Sequence, residues 1–249
     1  MKIEACKNCG APVDGNYCSN CGQKTSLKPI TLSSLMKDLS ENVLQLEYGL
    51  FFTILELTKT PAQTIKNYLD CKRKHYFQPV AYAFTLASLY FLLSQLVEHN
   101  TFINSVLEGV LLASEDSHSD KVLINGITWL ADNYAITTLL VIPIFSLSSY
   151  LAFIKDDKNY LEHVVINLYI TGHQSLIYSA FALLGILVTN SDLIETISLF
   201  VSVSYASFVL VTLFNRSNWP IRFLKVFLSY VLAISIMLVL LVVTAILLI

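Results

Sequence analysis

"KRKHYFQPVAYAFTLASLYFLLSQLV", residues 72–97, decides the class of fold. Three cations and a histidine (Lys72, Arg73, Lys74, His75) lead through Tyr76 and Phe77 into an apolar run that starts at Pro79. A helix needs roughly 20 apolar residues to cross a hydrocarbon core of about 30 Å. Residues 79–97 meet that length. Basic residues beside a span favour the cytoplasmic side, and aromatic residues favour the membrane–water boundary. The stretch therefore reads as the cytoplasmic entry of a transmembrane helix.

Working outward, the same pattern recurs. Apolar stretches at about 134–154, 163–188, 193–214 and 223–249 bring the expected spans to about five, with a kink expected at Pro143. Only helices suit segments of this kind, since each must satisfy its own backbone polar groups. Composition agrees. The chain has 249 residues, of which 55% are hydrophobic and 14% charged, whereas soluble domains carry about 25% charged residues. No apolar leader precedes the first cysteines, so no secretory signal is expected. Of the 16 Lys and Arg, 15 fall on one side of the expected topology and only Lys121 on the other. That asymmetry places the N-terminus in the cytoplasm and Ile249 outside.

Two further regions are apolar without spanning. Leu32, Leu35, Met36, Leu39, Val43, Leu46 and Leu50 share one helical face within residues 31–58, which predicts an amphipathic helix. It could lie on the inner membrane surface or pack on its own bundle. Residues 101–112 repeat the pattern on the outer side. Between these, Thr60, Pro61 and Gln63 carry the capping-box signature of a short helix that ends near Asp70. The basic turn that follows is a candidate lipid or anion contact through Lys72, Arg73, Lys74 and His75. Each cation attracts anionic lipid by about 1 kcal/mol near the surface. A plain topology anchor is the competing reading.

The N-terminus is different in kind. Cys6, Cys9, Cys18 and Cys21 form C-x2-C-x8-C-x2-C, and Gly10 and Gly22 follow the two pairs. A C-x-x-C-G turn aims two thiolates at one point, so two such turns supply the four sulfurs of a tetrahedral zinc site. A segment this short buries no core, and metal binding would supply its folding free energy, of the order of 10–16 kcal/mol for structural zinc. Two disulfides are the alternative, disfavoured on the reducing side of the membrane. Four thiolates leave no open position for water, so the expected role is structural, with one ion. Nucleic acid is disfavoured as a partner. Lys2, Lys7 and Lys24 stand against Glu4 and Asp14, and Tyr17 is a lone aromatic.

One span is unusually polar. Glu162, His163, Asn167, His173 and Gln174 make a candidate intramembrane site, with His163, Asn167 and Gln174 on one helix face. Helix packing, a ligand or proton path, and catalysis are the readings open to it. No second histidine or acidic cluster stands on another span, and no H-E-x-x-H or G-x-S-x-G motif occurs.

The order of "CKNCG…YCSNCGQ", "TKTPAQTIKNYLDCKRKHYFQP" and "NYLEHVVINLYITGHQ" resembles an uncharacterised bacterial membrane-protein family, the domain-of-unknown-function family numbered 3667. The resemblance implies a polytopic membrane protein capped by a zinc ribbon, and it implies no activity. The family's pattern has Gly where this chain has Cys71, so it gives no ground for expecting a left-handed turn there.

These readings give an all-α polytopic membrane protein with a small N-terminal zinc ribbon. The expected divisions are 1–26 for the ribbon, 27–78 for juxtamembrane helices and 79–249 for the bundle, in the bacterial inner membrane. A non-enzymatic role is expected, in which the ribbon contacts a cytoplasmic protein or a second copy while lipids surround the bundle. A small transporter or lipid-handling protein, and an intramembrane enzyme, are the alternatives.

Overall fold

The computed structural model describes residues 4–25, 30–31, 46–96, 125–126, 128–186 and 191–247. A two-residue hairpin opens the chain: β1 (Glu4–Ala5) pairs antiparallel with β2 (Pro12–Val13), with Glu4 opposite Val13 and Ala5 opposite Pro12. An isolated antiparallel bridge joins Tyr17 and Lys24, and the further elements among the described residues are helices: α1 (Leu46–Lys59), α2 (Pro61–Leu69), α3 (Pro79–Leu96), α4 (Tyr134–Ala152), α5 (Tyr160–Gly185), α6 (Ser191–Leu213) and α7 (Trp219–Leu247). The amphipathic segment expected over 31–58 is described only from α1 onward, apart from Thr31. The one expected at 101–112 lies outside the described residues.

Among the described residues four helices, α3, α4, α6 and α7, are long and apolar enough to cross a membrane. They carry exposed apolar side chains outward, such as Leu92, Leu140, Phe200 and Phe227. This is the surface of a membrane protein. α5 differs. Its 26 residues span about 39 Å, yet its polar residues keep it outside that apolar class. The reason is its position: α5 packs against α3, α4 and α6, and His163, Asn167 and His173 are all buried. A helix walled by other helices has no need of a lipid-compatible face.

Contacts along α5 fix the chain directions. Phe77, Tyr82 and Tyr90 meet Tyr169, His173 and Tyr178 in the same order, so α3 runs with α5. Ser149 meets His163, while Tyr134 and Tyr178 converge on Tyr90, so α4 runs against it. α6 is also antiparallel to α5: Phe214 stacks on His163, Tyr205 on His173, and Ile194 approaches Gly185. α5 thus traverses the bundle between α4 and α6, as a fifth crossing would. The last helix begins at Trp219, four residues before the expected start, and carries Arg222 and Lys225 within it.

At the end where α5 starts, three basic side chains tie the loops together. Arg216 pairs with Asp157 at 2.7 Å and donates to the Lys155 carbonyl. Lys225 pairs with Asp156 at 2.6 Å and lies over the Phe153 ring. Arg222 donates to the carbonyl of Val211 in the last turn of α6 and to those of Asn215 and Ser217 just beyond it. Phe153 stacks on Phe214, which stacks in turn on His163. α4 continues through Pro143, whose carbonyl accepts the Tyr160 hydroxyl at 3.4 Å. Of the two tryptophans, Trp219 stands at this end and Trp129, just before α4, at the other; both are exposed.

α1 and α2 pack on each other, and α2 packs on α5 and α6. Leu57 and Ile65 are fully buried. Proline at the first position of α2 suits a helix start. The expected capping box does not form: Thr60 makes no side-chain cap bond, and Gln63 donates to Asn67 one turn on. A capping box forms instead at α5. The Asn159 side chain accepts from the Glu162 amide at 3.0 Å, and Glu162 accepts from the Asn159 amide at 2.8 Å.

Candidate metal centre and its seat on the basic turn

Each cysteine pair sits in a knuckle with the same bonds. The Gly10 amide donates to the Cys6 carbonyl and the Cys6 amide to the Ala11 carbonyl; Gly22 to Cys18 and Cys18 to Gln23 repeat this, all at 2.8 Å. Gly10 and Gly22 take φ of 76° and 68°, the left-handed conformation that glycine adopts without penalty. This bend turns both sulfurs of a pair inward. The backbone amides of Asn8 and Cys9 are directed at the Cys6 sulfur, and those of Ala11 and Gln23 at the sulfurs of Cys9 and Cys21.

The result is a compact set of four sulfurs. Cys6 and Cys21 Sγ are 3.7 Å apart, Cys9 and Cys18 Sγ are 3.5 Å apart, and all four lie within 4.8 Å of one another. A disulfide would require about 2.05 Å, and all four are free thiols. Zinc–sulfur bonds of about 2.3 Å in a tetrahedron imply sulfur–sulfur edges of about 3.8 Å. The cluster fits a metal ion on both distance and donor chemistry. The Ala11 amide, then the Asn20 side chain, bring the Cys9 thiol down to about 6. For Cys21 the Gln23 amide pulls down, but burial and the neighbouring Cys9 and Cys6 push the thiol up to about 11.

The module is not a free knob. Gln23 is buried at 4% exposure. Its Nε2 donates to the Cys71 carbonyl and its Oε1 accepts from the Arg73 amide, both at 3.0 Å. Lys74 lies along Gly22, with Cε and Nζ 3.6 Å from where a Cβ would stand. Cys71 itself adopts φ of 66°, the only positive φ among the described non-glycine residues. The left-handed turn for which the family resemblance offered no ground is therefore present, held from above by Gln23. From below, Thr53 accepts from the Phe77 amide at 2.7 Å and Tyr169 donates to the Phe77 carbonyl at 2.7 Å.

The four candidate anion contacts part company on this turn. Arg73 folds back: its Nε donates to the Tyr68 carbonyl and its guanidinium covers the Tyr68 ring at 5.1 Å. The His75 ring meets Phe52 edge-on. Lys72 and Lys74 are exposed and form no ion pair among the described residues.

Nor do the polar side chains of α5 gather at one point. Glu162 belongs to the helix cap and pairs with Lys158 at 3.6 Å. His163 Nδ1 lies 2.9 Å from Ser149 Oγ, and Asn167 donates to that same hydroxyl at 3.0 Å. His163 Nε2 has no partner among the described residues. His173 turns to other neighbours, with Nδ1 2.9 Å from the Tyr82 hydroxyl and Nε2 3.4 Å from Thr58 Oγ1. Gln174 donates to the Ser202 carbonyl in α6. The group holds α5 to α3, α4 and α6 rather than converging on a reacting atom. Sequence reasoning missed Gln23; the one signal was that the two knuckles differ there, Ala11 in the first and Gln23 in the second.

The family described as "Protein of unknown function (DUF3667)" matches the chain over residues 47–91. That interval holds nearly all of α1, then α2, the basic turn and most of α3. The cysteine module and α5 lie outside it. No curated protein and no solved structure matches the chain.

Proposed function

We propose that this is a non-enzymatic integral membrane protein whose N-terminal module is a zinc ribbon, folded by one structural zinc ion on the cytoplasmic face. Its outer side, where Cys9 and Tyr17 are exposed, meets a cytoplasmic protein or a second copy of the chain. The observation that carries this reading is the four-sulfur cluster seated on the bundle through Gln23. Four thiolates close the coordination sphere, so the ion would hold shape rather than activate water. The basic residues gathered on one side support the cytoplasmic placement. The family resemblance supports the inner membrane of a bacterium. Elemental analysis of the purified chain should give about one zinc per chain, and Cys18→Ser should abolish it. A tagged pull-down that returns the same partners with and without the four cysteines would end the contact role.

A lipid-handling or small transport role is the second reading. It is favoured by the exposure of two cations, Lys72 and Lys74, on the basic turn and of two apolar side chains, Phe51 and Leu55, on α1. Native mass spectrometry should then show anionic phospholipid retained by the wild type and lost from the Lys72→Ala, Lys74→Ala double variant. An intramembrane enzyme built on Glu162, His163 and His173 has the least support, since those side chains face different neighbours.

A further inference from the structure

Gln23 belongs to two structures at once. Its main chain closes the second cysteine knuckle: the carbonyl accepts the Cys18 amide at 2.8 Å and the amide is directed at the Cys21 sulfur. Its side chain leaves the module and uses both ends of its amide on the basic turn, donating to Cys71 and accepting from Arg73. The knuckle itself does not require this, because Ala11 holds the equivalent place in the first one with the same backbone bond. These bonds are shielded from water, so withdrawing Gln23 would expose or orphan two backbone groups. The first of them is the carbonyl of Cys71, a non-glycine residue at φ of 66°. Such a conformation persists only where its surroundings hold it.

We infer that metal loading of the cysteine module controls the conformation of the basic turn, with Gln23 as the coupling residue. With the ion bound, the knuckle is closed and the Gln23 amide pins the backbone from Cys71 to Arg73. Lys72 and Lys74 then stand in a fixed exposed arrangement. When the ion is removed, the thiolates lose the cation that holds them together, the module loses its folding free energy, and Gln23 withdraws. The turn then opens, and Lys72 and Lys74 lose their arrangement. A metal state sensed by the cysteines is thereby passed to the entry of α3, some 50 residues on. This inference rests on the zinc-ribbon reading.

Cys71 is a built-in reporter, since it is buried at 5% exposure beneath the Gln23 bonds. The experiment uses the full chain in detergent with zinc content measured on the same sample. Alkylation of Cys71 is followed by peptide mass spectrometry, and tryptic cleavage after Lys72, Arg73 and Lys74 is followed in parallel. In the zinc-loaded wild type both should be slow, and chelation should speed both. Gln23→Ala, at full zinc content, should speed both by about tenfold or more, the effect of losing two shielded hydrogen bonds. Gln23→Glu keeps the acceptor for Arg73 but not the donor for Cys71, and should fall between. Thr25→Ala breaks a bond internal to the module, to the Gly15 carbonyl, and should leave the turn protected. Chelated wild type that keeps Cys71 protected overturns the coupling. Zinc-loaded Gln23→Ala that protects Cys71 as well as wild type does so too. Purified wild type without zinc overturns the metal reading itself, and this inference with it.

Discussion

At the scale of single residues, Cys71 and Asp156 are where the chain departs most from ordinary practice. Cys71 occupies a left-handed position that suits glycine and penalises β-branched side chains. Cys71→Gly should therefore be no less stable than wild type. Cys71→Val should lose about 1–2 kcal/mol, read as a midpoint lower by several degrees in a detergent thermal melt. A Val variant that melts with the wild type would show that the turn relaxes freely. Asp156 is buried at 6% and faces Lys225, itself only 18% exposed. Breaking such a pair strands one charge, at a cost of about 3 kcal/mol. Asp156→Asn should destabilise accordingly, while the Asp156→Asn, Lys225→Met double variant should recover much of the loss. Equal losses in single and double variants would argue against a stranded lysine charge.

At the scale of elements, the joint between α3 and α5 is the tightest described. A Cβ on Gly172 would stand 2.6 Å from Tyr82 Cδ1 and 3.0 Å from the Ala83 Cα. Small residues at such crossings let helices in a membrane approach closely. Gly172→Ala must push α3 away, and should cost about 1–3 kcal/mol and disturb the Tyr82–His173 contact. Unchanged thermal stability in this variant would mean that the two helices have slack. Much of this architecture was legible beforehand. Hydropathy placed α3 within a residue of its ends, because its outer face must satisfy lipid. The sequence carries a capping signature at Thr60 and Gln63, where Gln63 bonds to Asn67 instead. The same pattern at Asn159 and Glu162 does form a box, yet Glu162 read as an intramembrane polar group. Local spacing cannot rank two such sites. The seat of the cysteine module was not legible at all. It joins residues 48 and 50 positions apart in the chain through one side chain, and no periodicity encodes that.

At the scale of the whole molecule, α5 decides the topology. Four crossings would return residue 249 to the side of the N-terminus, and five would not. The alternating directions of α4, α5 and α6 argue for five. Topology reporters fused before residue 1 and after Ile249 should report opposite sides, with the N-terminal one cytoplasmic; the same side for both would remove α5 from the membrane. The two tryptophans add something practical. Trp129 and Trp219 stand at opposite ends of the bundle and both are exposed, as befits indoles that prefer the boundary between lipid and water. Single-tryptophan variants would turn each into a depth gauge for one leaflet. Water-soluble quenchers and lipid-borne quenchers, compared on the two variants, would fix how the bundle is seated in a bilayer, using only fluorophores that the chain already carries.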